Sequence, residues 1–79
     1  MSNQKEVARE LDRLAENAWV VEDYADAATQ KQCWFLAKLI VENDLTVDEF
    51  ADDFCDVYGG NPYLTKNVAS DAIKNYLND

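Results

Sequence analysis

The chain has 79 residues, 48% of them apolar, with 16 acidic against 7 basic side chains and a net charge of −9. That length predicts one domain with a modest core, and the apolar share excludes a disordered chain. The charge opposes phosphate backbones and anionic lipid, so neither direct nucleic-acid binding nor membrane binding is expected.

Gly59, Gly60 and Pro62 are the only helix breakers in the sequence. An all-β chain needs turn residues far more often. The expected class is therefore all-α, a small single-domain bundle of about four helices.

The first helix is expected over about 4–24. Asn3 with Glu6 forms a capping-box pattern, and Val7, Leu11, Leu14, Ala18 and Val21 make one apolar stripe. The charges between them alternate in sign at helical spacing, as a solvated face does. A second helix is expected over about 27–42, started by Asp23 or Asp26. The break between the two is weakly marked. The run CWFLAKLIV makes the second helix apolar nearly all round, which predicts a central, buried element with Trp34 in the core. Trp19 is assigned to the core as well. Cys33 and Cys55 do not make a disulfide framework and read as small buried hydrophobes.

The third helix, expected over about 47–58, carries the clearest signals. Thr46 is the N-cap and Glu49 the answering residue of a capping box; Leu45 and Phe50 occupy the staple positions. Gly59 is placed to form a left-handed C-terminal cap. A fourth helix is expected over about 62–77, entered at Asn61-Pro62 or at Thr65. Its wide apolar arc predicts deep packing or contact with another chain.

Five acids fall between Asp48 and Asp56, namely Asp48, Glu49, Asp52, Asp53 and Asp56, with no lysine or arginine among them. On a wheel of about 100° per residue they share one face, and Val47, Phe50, Ala51, Phe54, Val57 and Tyr58 take the other. Three like-charged pairs at i, i+4 (48/52, 49/53 and 52/56) cost the helix about 1 kcal/mol. A smaller acidic group is formed by Glu22, Asp23 and Asp26.

The acids do not follow the alternating ligand pattern of an EF-hand, which also needs a glycine at the sixth loop position. In length, acidity and helix count the chain is similar to acyl carrier proteins. The serine of their D-S-L attachment motif has no counterpart, since the only serines are Ser2 and Ser70. No histidine, phosphate-cradling loop or activated thiol is present, so neither enzymatic activity nor a metal or other cofactor is expected.

The function expected is that of an acidic binding protein that inhibits or modulates a basic, nucleic-acid-binding target by charge mimicry and steric occlusion. Phage counter-defence proteins, anti-CRISPR and antirestriction inhibitors, and nuclease-immunity proteins are of this general type. Asp48, Glu49, Asp52, Asp53 and Asp56 are the expected contact residues, with Tyr58 and Tyr63 as anchors. The alternative is a self-associating structural or regulatory module, a homodimer joined through the fourth helix, whose acidic face serves only solubility. The N-terminal sequence carries neither a signal-peptide core nor a transit pattern, and the longest apolar run is too short to span a bilayer, so a cytoplasmic location is expected.

Overall fold

The computed structural model describes residues 3–21 and 26–78. Four helices and one small hairpin follow in the order α1 (Gln4–Val21), α2 (Gln30–Glu42), α3 (Val47–Phe54), β1 (Asp56–Tyr58), β2 (Asn61–Tyr63) and α4 (Lys66–Leu77). The fold is the expected small all-α bundle, with a two-stranded ribbon inserted between the last two helices.

Local chemistry sets the helix starts. Asn3 Oδ1 accepts from the Glu6 N–H at 2.9 Å and opens α1. At α2, Thr29 Oγ1 accepts from the Gln32 N–H at 3.0 Å, and Gln32 Oε1 accepts from the Thr29 N–H at 3.1 Å. This reciprocal box places the start at Gln30, three residues later than expected, and separates α2 from α1. At α3 the Thr46–Glu49 box forms as the sequence indicates, with bonds of 3.1 and 3.2 Å. Thr65 caps α4 by accepting from the Val68 N–H at 3.2 Å, so the later of the two expected starts is the real one.

The end of α3 differs from expectation. The helix stops at Phe54, and the chain turns extended at Cys55. Gly59 and Gly60 are not a helix cap. With φ of 60° and 83° they are the two central residues of a hairpin that pairs Asp56 with Tyr63, Val57 with Pro62 and Tyr58 with Asn61. Positive φ at both positions is the type I′ requirement, which glycine meets without steric cost.

The core joins all four helices. Leu11, Leu36, Ile40, Phe50 and Leu64 are fully shielded, and Ala8, Ala15, Ala37, Ala69 and Ala72 let the helices approach closely. Phe50 stacks on Phe54 with centroids 5.6 Å apart, and Phe54 meets the edge of Tyr76 at 5.5 Å. That aromatic chain ties α3 to α4. The hairpin is pinned to α1: the Leu64 N–H donates to the Leu14 carbonyl at 2.9 Å, and Asn17 Nδ2 donates to the Pro62 carbonyl at 2.9 Å. The Ala28 N–H donates to the Leu64 carbonyl and the Lys66 N–H to the Asp26 carbonyl, so the segment before α2 lies along the segment before α4.

Both tryptophans lie outside the core, contrary to expectation. Trp19 is 63% exposed and Trp34 51%. The inner side of α2 is filled by Cys33, Leu36, Ala37, Leu39 and Ile40. Trp34 is about 100° round from Cys33, and a chain this short has too few elements to cover a helix on every side.

Cys33 is buried as expected, and Cys55 is half-buried; both are free thiols. Burial and the Asp12 carboxylate push the Cys33 thiol up to about 12. An unfolded thiol ionises near 9. Between those values the folded state holds more protons than the unfolded state, so stability falls as pH rises from 9 towards 12. Cys55, also pushed up to about 12 by burial and Asp56, adds to that fall. Replacing Cys33 with alanine is therefore expected to reduce it without abolishing it, measured by urea midpoints across the range. The native Cys33 thiol is expected to resist alkylation at pH 8, below both values.

Candidate functional site: an acidic helix and its hairpin

The site is built on α3 and the ribbon that follows. The cap at Thr46 fixes the rotation of α3, and Phe50 and Ala51 anchor its inner side. Asp48, Glu49, Asp52 and Asp53 are thereby left exposed on the outer side. Among the described residues, no lysine or arginine makes an ion pair with them.

The structure separates the five expected acids into three roles. Asp48, Asp52 and Asp53 are free helical carboxylates. Glu49 is partly engaged, because its Oε1 accepts from both the N–H and the hydroxyl of Thr46, each at 3.2 Å. Asp56 is exposed but stands in β1, not in the helix. The expected row 48/52/56 is thus broken after Asp52, and two like-charged i, i+4 pairs remain in α3, 48/52 and 49/53.

Tyr58 is 59% exposed, as a contact residue must be. Tyr63, directly opposite Asp56, is half-buried and presents less surface. Val57 was assigned to the core side of a longer helix, yet at 63% exposure it forms an apolar spot beside the acids. Of the second acidic group, Asp26 is exposed, while Glu22 and Asp23 lie outside the described residues.

Two open grooves flank Pro62. One, of about 450 Å³, lies between α1, α3 and β2 and is bordered by Glu10, Arg13 and Asp48. The other, of about 510 Å³, lies between α3 and the hairpin and is bordered by Asp48, Asp52 and Val57. Arg13 is the one base lining them. Behind the acidic side, the Tyr76 hydroxyl is shielded from solvent with no hydrogen-bond partner among the described residues. Burial, then the nearby Asp53, Cys55 and Glu49, raise its pKa. Sequence reasoning missed Tyr76 in this position, since its spacing marked only an apolar stripe of α4.

Among the described residues, no three His, Cys, Asp or Glu side chains are grouped as metal ligands, and no helix is long and apolar enough to cross a membrane. No protein-family model, curated protein or solved structure matches the chain.

Proposed function

We propose that this is a non-enzymatic binding protein whose α3–hairpin face docks on a basic surface of another protein, one that itself binds nucleic acid. Docking there would occlude the surface and inhibit or modulate the target. The observation that carries this reading is a set of outward carboxylates with no counter-charge among the described residues, set beside the exposed Val57 and Tyr58. The eight residues of α3 span about 12 Å and carry four carboxylates, one per ~3 Å. One strand of duplex DNA carries a phosphate per about 3.4 Å. A surface evolved to hold that spacing of negative charge meets a similar one here, and the apolar spots add contact area that charge alone does not supply.

The test is capture from an extract of the native host by the immobilised chain at low and high salt. A basic protein held at low salt and released at high salt supports the reading. Retention that does not change with salt removes charge mimicry.

The rival, self-association through α4, has a smaller surface than the sequence suggests. Val68, Ile73 and Tyr76 pack against the core, and Leu77 is the exposed large apolar residue of that helix. Sedimentation separates the two: a tight dimer broken by Leu77→Ser would favour the rival.

A further inference from the structure

We propose that the groove between α3 and the hairpin seats an arginine side chain of the partner. This inference rests on the docking reading above and identifies the group that the face recognises.

The groove is lined by the apolar side chains of Ala51, Cys55, Val57 and Pro62, together with Gly60 and the carboxylates of Asp48 and Asp52. The two carboxylates stand one turn apart on the same side of the helix, which places their Cβ atoms about 5–6 Å from each other. A guanidinium is planar and presents donors along two edges, so it engages both carboxylates while its methylene stem lies against the apolar side chains beside them. An ammonium is a compact, strongly hydrated point charge and gains less from those side chains. Docking by diffuse charge alone would leave Val57 wet. An arginine stem covers it.

Charge also chooses between the two grooves. The neighbouring groove shares Asp48 and Pro62 but is lined by Arg13 as well as Glu10. Arg13 repels a second guanidinium there. The groove between α3 and the hairpin has two carboxylates and no base. A bound guanidinium there also offsets the repulsion between Asp48 and Asp52 that the free protein carries.

The experiment is a ¹⁵N–¹H titration of the full chain with two short peptides that differ only by arginine or lysine at the central position. The arginine peptide is expected to shift the amides of Asp52 and Val57 and to bind about fivefold more tightly than the lysine peptide. Val57→Thr keeps the β-branched shape and all the charges, and is expected to weaken the arginine peptide about threefold. Asp52→Asn is expected to weaken it by a similar factor, whereas Asp53→Asn, outside the groove, leaves it within about twofold. Equal affinity for the two peptides, with Val57→Thr matching the unaltered chain, overturns the groove. If salt-sensitive capture of a basic protein persists in that case, the docking reading stands without it. Failure of the arginine peptide to bind overturns the groove outright, and failure of host-extract capture removes the docking reading itself.

Discussion

Phe50→Ala is expected to lower stability by about 3–5 kcal/mol, the largest effect among truncations of the fully buried side chains to alanine. Phe50 is fully shielded and is the largest of the completely buried side chains. Its ring stacks on Phe54, which in turn meets Tyr76, so its removal opens a cavity at the joint between α3 and α4. A domain of this size holds roughly 4–12 kcal/mol in all. The variant is therefore expected to be partly unfolded without denaturant at the lower end of that range. Urea titration followed by circular dichroism reads this as a reduced midpoint with little change in slope. Trp34→Ala removes more atoms but from a half-exposed site, and is expected to cost no more than about 1 kcal/mol. Equal losses from the two substitutions would mean that the joint is not where the core sits.

The double substitution Asp52→Asn, Asp53→Asn is expected to move stability and binding in opposite directions. Both residues lie beyond the first turn, so their loss leaves the favourable interaction of Asp48 and Glu49 with the helix N-terminus in place. It removes both like-charged i, i+4 pairs of α3, each costing a few tenths of a kcal/mol. The folded state should gain about 0.5 kcal/mol, read from the same urea titration. Affinity for a captured basic partner should fall about tenfold or more, because two unscreened attractions at the interface are lost. A face kept acidic only for solubility would show the gain without the loss. A drop in stability instead would place these carboxylates in attractive contacts within the fold.

Helix starts were legible because each is written in two or three residues. Thr46 with Glu49 names the start of α3 directly, and the bonds form as those residues dictate. Thr29 with Gln32 is the same signal at α2, and the acids Asp23 and Asp26 that precede it, without an answering Gln or Glu, compete with it in the sequence. The end of α3 was not legible from helical periodicity, because Val57 and Tyr58 continue the apolar stripe as though the helix went on. A two-residue glycine pair flanked by tyrosine and asparagine is also a hairpin turn signal. The competing cap reading won because strands of three residues are too short to show alternation. Exposure of Trp19 and Trp34 was hidden for another reason. Hydrophobicity says what gains by burial, and the number of packing partners decides what is buried. The outward acids of α3 followed from the wheel alone. The groove beside them did not, because it needs the hairpin, pinned to α1, to bring Val57 and Pro62 beside Asp48 and Asp52.

The most direct test of the acidic face is the salt dependence of the dissociation constant for the captured partner, measured for the unaltered chain and for the Asp52→Asn, Asp53→Asn chain. A charge-recognising face predicts affinity that falls steeply with salt for the first, and a weaker, shallower dependence for the second. Two superimposable curves would contradict it.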